Sequence, residues 1–155
     1  MKHIIVGLAM LSSVIQAVDH EVEYPEGYRT WMHLKSMVIN QSHSLSDPFE
    51  GIHHIYANDK AQKGLELNSY EDGATFVFDL LKAKRSKDAI LEDERKFVGV
   101  MIYDSKRFSK TGNWGFEAFS GNSKSQKIVK DAGVSCFSCH IGVEKQSFVF
   151  SKFRK

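Results

Sequence analysis

Residues 73–81 of this chain read GATFVFDLL, and the order of side chains in this stretch decides the fold. Phe76, Phe78 and Leu80 alternate with their neighbours, so an extended backbone places all three on one face. Aromatic and β-branched residues favour strands, and Gly73 marks where the segment starts. The stretch therefore predicts a β-strand with one apolar face.

Three more segments have the same character: IHHIYA (52–57), KFVGVMIYD (96–104) and NWGFEAFS (113–120). Apart from residues 58–72, the connections between these segments are too short for crossover helices. Short connections join antiparallel strands, whereas parallel strands need a longer crossover. The sequence therefore predicts a mainly antiparallel β-sheet.

Two segments predict helices beside this sheet. In YPEGYRTWMHLKSMVI (24–39), helical spacing relates Tyr28, Trp31, Met32, Lys35 and Val38, which predicts an amphipathic helix. The polar stretch 40–51 then predicts a loop, and residues 123–140 predict a short helix near the C-terminus. The predicted fold class is α+β, an antiparallel sheet with flanking helices in a single domain.

The N-terminal residues 1–17, MKHIIVGLAMLSSVIQA, have the features of a secretory signal peptide. Lys2 precedes an apolar run that is too short to span a bilayer, and Ala17 is a suitable cleavage residue. The sequence thus predicts export to the periplasm, with residues 18–155 as the mature domain and no membrane span. Cleavage removes Lys2 alone among the charged residues and takes the formal net charge from +2 to +1.

This charge balance predicts no nucleic-acid partner, because phosphate binding needs a concentrated basic face. The chain has one short basic run, at Lys82, Lys84, Arg85 and Lys87. A solvated loop is the first interpretation of this run, and the docking of a redox partner protein is the second.

The stretch VSCFSCHIG (134–142) contains both cysteines of the chain, Cys136 and Cys139. A disulfide or thiol-redox pair is one interpretation, although the βαβ setting typical of redox motifs is missing. A zinc site lacks a second pair of ligands. C-x-x-C-H is the attachment signature of haem c, in which both thiols form thioethers and the histidine ligates the iron. The motif therefore predicts one covalently attached haem with His140 as the axial iron ligand.

The sixth coordination position decides between functions. A methionine or histidine there makes an electron carrier, whereas an open position binds a small molecule. Several residues of the chain are candidates for that ligand, and composition does not choose among them: Met32, Met37, Met101, His20, His33, His43, His53 and His54.

Several segments resemble the cytochrome P-460 family in order and spacing, and are most similar to its cytochrome c′-beta branch. They are YPEGYRTWMHLK, PFEGIHHIYAND, DGATFVFDLL, DSKRFSKTGNWGFEAFSG, CFSCH and FVFSKFR. The resemblance implies a mainly antiparallel sheet, a homodimer and a five-coordinate haem. It also implies a distal cap of two phenylalanines, matched by Phe49 and Phe78.

Two activities are known in this family. Cytochrome P-460 itself oxidises hydroxylamine and carries a lysine cross-link to its haem, whereas the c′-beta branch binds nitric oxide and carbon monoxide. In this chain the cross-link position falls near Glu66 or Leu67, with Lys60 and Lys63 close by, and the proton-relay carboxylate of the catalytic branch matches Asp79. The resemblance therefore favours a gas-binding haem protein over a hydroxylamine-oxidising enzyme, and a six-coordinate electron-transfer cytochrome comes third.

Overall fold

The sheet is antiparallel and its strands pair in chain order, as the short connections predict. The computed structural model describes residues 21–154, and its five-stranded sheet has the order β1-β2-β3-β4-β5. The strands are β1 (Met32–Ile39), β2 (Gly51–Ala57), β3 (Thr75–Ser86), β4 (Ala89–Tyr103) and β5 (Trp114–Ser120). The predicted signal peptide and the candidate ligand His20 lie outside the described residues. The α+β prediction is confirmed.

Three short helices flank the sheet: α1 (Ser46–Phe49), α2 (Asp59–Leu67) and α3 (Val134–His140). Helix α2 occupies the long connection at residues 58–72 and begins where the Asn58 side chain accepts a hydrogen bond from the Ala61 backbone nitrogen at 2.9 Å. Helix α3 is the predicted C-terminal helix. None of the helices within residues 21–154 has the length and apolar character that a membrane span requires.

The two faces of the sheet carry separate cores. We call the side of Phe76, Phe78 and Leu80 the Phe78 face, and the side of Val77 and Asp79 the Asp79 face. On the Phe78 face, a core forms around Phe76, Met101, Trp114 and Phe116, and α2 and α3 pack against it: this core also includes Ala57, Ala61, Ala74 and Val149. The Asp79 face is covered by the N-terminal segment of the described chain, through Val22 and Tyr28.

The helix predicted over residues 24–39 is wrong. A single 3-10 turn spans Tyr28–Thr30, and the rest of the segment is the edge strand β1. The register of β1 against β2 shifts between His33 and Lys35, as in a β-bulge. An extra residue in a strand interrupts the period of two, so the apolar positions imitate helical spacing. Hydrogen bonds to β2 decide the conformation.

The basic run is exposed as predicted, but it lies in a strand instead of a loop. Lys82, Lys84 and Arg85 belong to the far end of β3, which forms a hairpin arm with the start of β4. The facing strand carries Glu92 and Glu94, and Lys82 donates to Glu94 at 2.7 Å. The arm therefore has both signs of charge and is no uniform basic patch.

Candidate functional site

Helix α3 presents the C-x-x-C-H motif, and its start is defined by local contacts. The Asp131 carboxylate accepts hydrogen bonds from the backbone nitrogens of Gly133, at 3.2 Å, and Ser135, at 2.8 Å. Gly133 has φ 85°, and a Cβ there would lie 2.9 Å from the Cβ of Phe116. Only glycine combines this conformation with such a close approach to β5, so this residue places α3 on the Phe78 face.

Cys136 and Cys139 are free thiols, one helical turn apart on α3. Residues three apart on a helix are neighbours on its surface, so both sulfurs serve one side of the helix. Cys136 is half-buried against the core of the Phe78 face, and this burial raises the pKa of its thiol. Cys139 is exposed. The arrangement offers two thiols to a single flat group beside α3.

His140 ends α3 with one ring nitrogen engaged. Its Nδ1 lies 2.7 Å from the backbone oxygen of Phe148, and because a carbonyl only accepts, Nδ1 is the protonated nitrogen. The ring packs against Phe116 and Phe150, with centroids 4.9 and 5.1 Å away. Burial lowers the pKa of the imidazole, which favours the neutral form. The lone pair of Nε2 is thus available, as an axial metal ligand requires.

Phe49 and Phe78, which are far apart in the sequence, come together on the same face. Their ring centroids lie 5.7 Å apart, edge to face. Phe97 joins them at 5.8 Å from Phe78 and 6.2 Å from Phe49, and His53 stacks on Phe78 at 4.5 Å. We call these four residues the aromatic cluster. All three phenylalanines are only partly buried, so they offer an apolar surface to a ligand.

The strand register places the aromatic cluster and His140 on one face of the sheet. Phe78 pairs with Gly99 of β4, and Gly99 pairs with Ala118 of β5. His140 packs against Phe116, which lies two positions along β5 from Ala118. Phe78 and Phe116 are two strands apart, which is roughly 10 Å at the usual strand spacing. The residues on the sheet between the two groups are the small Gly99 and Ala118.

A family model, Cytochrome P460, matches residues 25–151. The chain belongs to the cytochrome P460 family. No curated protein matches it. Membership makes the chain a haem protein, and the site fits this cofactor: two free thiols, an imidazole with a free Nε2 and an apolar surface meet on the Phe78 face. Cys136, Cys139 and His140 are the residues that could hold the haem, and the aromatic cluster lies on the same face of the sheet.

The other candidate ligands of this cytochrome P460 have different surroundings. Met32 and Met37 are exposed on the edge strand, whereas Met101 is buried in the core of the Phe78 face. His53 and His54 point to opposite faces, as adjacent strand residues must. On the Asp79 face, the His54 ring hydrogen-bonds the Ser36 hydroxyl and the Glu92 carboxylate, each at 2.6 Å. The His33 ring also hydrogen-bonds the Ser36 hydroxyl, at 2.9 Å. His43 accepts a hydrogen bond from the Leu45 nitrogen in the loop.

Asp79 points away from the haem site, as alternation with Phe78 predicts. Its carboxylate is fully buried on the Asp79 face, where the Tyr28 hydroxyl donates to it at 2.6 Å. Arg95 donates to both oxygens, through Nε at 2.6 Å and Nη2 at 3.1 Å. Burial and this carboxylate raise the pKa of Tyr28 strongly. The surroundings of Asp79 are those of a structural ion pair.

Sequence reasoning missed Phe97 and the carbonyl of Phe148. Alternation in KFVGVMIYD places Phe97, Gly99 and Met101 on one face, so the signal for Phe97 was present in the period of two. The Phe148 carbonyl carries no signal in a side chain. Its role depends on a turn after α3 in which Ser147 and Phe148 have positive φ angles of 52° and 66°.

Proposed function

We propose that this chain is an exported c-type haem protein whose five-coordinate iron binds small diatomic gases, nitric oxide and carbon monoxide, in the periplasm. Cys136 and Cys139 would form the thioether links, and Nε2 of His140 would bind the iron. The haem supplies one vacant coordination position, and the chain determines what reaches it. Capture of nitric oxide is the role that we infer from this arrangement.

The observation that carries this proposal is the distal surface of phenyl rings. Phe49, Phe78 and Phe97 contact one another on the face that also holds His140. Phenyl rings offer no hydrogen bond, so a polar or charged ligand loses its hydration there without compensation. Nitric oxide and carbon monoxide are nearly apolar and lose little. The rings therefore select by polarity and by shape.

The absorption spectrum of the ferrous holoprotein before and after addition of carbon monoxide tests the proposal. A high-spin haem c spectrum that shifts on addition is the expected result. A low-spin spectrum indifferent to carbon monoxide would instead identify a six-coordinate electron carrier and overturn the proposal.

Truncation of Phe78 tests the phenylalanine cap. Because Phe78 contacts both Phe49 and Phe97, we expect Phe78→Ala to open the distal side, to speed carbon monoxide association by about tenfold or more and to admit water to the ferric iron. Stopped-flow kinetics and the ferric spectrum measure both effects. Phe153→Ala, in the exposed C-terminal tail, is the matched control. Equal rates in Phe78→Ala and wild type would contradict the cap.

Hydroxylamine oxidation is the alternative within the cytochrome P460 family, and the lysines near α2 argue against it. Lys60 donates to the Asp72 carbonyl oxygen at 2.8 Å and lies 3.7 Å from Glu71, and Lys63 is exposed. The core-facing side of α2 carries Ala61 and Gly64 instead. Lys60 thus has partners away from the aromatic cluster, and we propose that neither Lys60 nor Lys63 cross-links to the haem.

Replacement of these lysines checks that statement. We expect Lys60→Ala and Lys63→Ala to have the same absorption spectrum as the wild-type holoprotein. The mass of each holoprotein should differ from wild type only by the mass of the substitution. A red-shifted wild-type band that either variant abolishes would establish the cross-link and move the proposal to hydroxylamine oxidation.

Export and assembly complete the proposal. Residues 1–17 would be removed as a signal peptide, and this export agrees with haem attachment, which belongs to exported proteins. The mature domain, residues 18–155, is proposed to be a homodimer by analogy with the family. Mass spectrometry of the secreted protein and sedimentation analysis measure the two features.

A further inference from the structure

One end of the Phe78 face carries positive charge that has no acidic partner among residues 21–154. The row that contains Phe78 runs across the sheet from Ala118 and Gly99 through Phe78 and Ile55 to Lys35 on β1. Residues directly opposite each other in antiparallel strands project to the same side, so Lys35 lies on the face that holds the haem site. The charge of Arg154, in the C-terminal tail, acts on Lys35 and lowers the pKa of its amine.

Neither cation has an acidic partner in the described part of the chain. Lys35 and Arg154 make no ion pair and no hydrogen bond with residues 21–154, although Lys35 is partly buried. Burial and the Arg154 charge lower the pKa of the Lys35 amine. Two like charges side by side are unfavourable unless an anion lies between them.

His53 provides an independent sign of a missing partner at the same place. It lies on the Phe78 face of β2, two positions from Ile55, which pairs with Lys35, and it is only 3% exposed. Its Nδ1 is buried and has no hydrogen-bond partner within the described residues. A buried polar atom without a partner is rare in a native protein, and one explanation is a group absent from the chain.

We propose that Lys35, Arg154 and His53 form an anion-binding site for a carboxylate, and that its occupant is a propionate of the haem. This inference rests on the haem of the proposed function, but not on gas binding. Cys136 and Cys139 lie on α3, which packs against β5 at the opposite end of the row from Lys35, and they would hold the vinyl side of the haem there. The propionates of the same haem are its only anionic groups and leave its edge away from the vinyl side. The row across the sheet thus leads from the thiols towards the cations.

The pH dependence of the haem reduction potential tests this assignment in the holoprotein. A propionate beside a cation ionises at a lower pH, since the neighbouring charge favours the carboxylate. In Lys35→Met, which keeps the length of the side chain and removes its charge, we expect the propionate pKa to rise by about one unit. The potential should also fall, because removal of a nearby positive charge favours ferric iron. Arg154→Gln, at an exposed position of the C-terminal tail, should show a smaller change in the same direction.

Matched variants distinguish the site from a general effect of charge. Lys84→Met removes a lysine from the exposed hairpin arm and should leave the propionate titration unchanged. Lys35→Arg keeps the positive charge and should give the wild-type titration. His53→Leu should raise the propionate pKa, and His54→Leu, the same change on the opposite face, should not.

A wild-type potential that depends on phosphate concentration at constant ionic strength, with loss of this dependence in Lys35→Met, would identify a free oxyanion as occupant and overturn the propionate assignment. Identical titrations in Lys35→Met and wild type would overturn the site itself. Carbon monoxide binding measured on the same samples reports separately on the proposed gas-binding function.

Discussion

Replacement of both Cys136 and Cys139 by serine is expected to remove all covalently bound haem from the chain. These are its only cysteines, so no other thiol can form a thioether. Serine has nearly the same shape, and α3 is defined by Asp131 and Gly133, so the helix should persist. Haem staining after denaturing electrophoresis and the pyridine haemochrome spectrum measure the loss. Each single serine variant should keep one thioether and give a spectrum intermediate between haem c and haem b.

Ser138→Ala is the matched control for this pair, because Ser138 lies between the cysteines on the same helix and is exposed. It should retain full haem staining. Covalent haem in the double serine variant would show that another residue makes the bond and would remove the basis for the c-type assignment. A double variant that still binds haem without a covalent link would leave His140 as the remaining attachment, which His140→Ala then tests.

The second large effect concerns stability. Asp79→Leu is expected to lower the free energy of unfolding by about 3 kcal/mol or more, because it leaves Arg95 partly buried without its carboxylate. The Tyr28 hydroxyl loses its acceptor in the same variant. Urea unfolding of the holoprotein measures this change. Asp88→Asn, in the exposed turn between β3 and β4, is the control and should unfold like the wild type.

A second variant at this position, Asp79→Asn, distinguishes a structural role of Asp79 from a role in ligand chemistry at the haem. Because Asp79 faces away from the aromatic cluster, Asp79→Asn should bind carbon monoxide at the wild-type rate even though it is less stable. Loss of haem-ligand chemistry in Asp79→Asn without loss of stability would instead assign Asp79 the proton-relay role that the resemblance to the catalytic branch implies. A double-mutant cycle with Arg95→Leu would show how much of the stability effect belongs to the ion pair.

The strands could be predicted from the sequence because their side chains report directly on the backbone. In GATFVFDLL each side chain reveals which face it occupies, and the structure has Phe76, Phe78 and Leu80 on the same side. The helix prediction for residues 24–39 was wrong because the side chains there do not report on the backbone in this way. At β1 a shift in register breaks the alternation, and an edge strand has only one neighbour to bury its residues, so Met37 and Val38 remain exposed. The apolar pattern then carries little information about the backbone.

Part of the candidate site could be predicted from the sequence, and part depends on the fold. Cys136, Cys139 and His140 are adjacent in the sequence, and thiol and imidazole chemistry at that spacing points to haem without reference to the fold. Phe49, Phe78 and Phe97 are separated along the chain, and their contact depends on the pairing of β3 with β4 and on the position of α1. No local pattern contains that contact.

The sequence by itself determined four of the five strands, the family resemblance and the haem-attachment motif, because each of these depends on residues that are neighbours in the chain. Only the tertiary structure decided which side chains share a face of the sheet with that motif. Strand register brings the phenyl rings, Nδ1 of His53 and the Lys35 amine onto the same face as His140, and it places Asp79 on the other face. Neither Nδ1 of His53 nor the Lys35 amine has a polar partner in the described part of the chain. The physical reason is that a ligand site forms from side chains that are close in space, and the long-range hydrogen bonds of the sheet determine which ones those are.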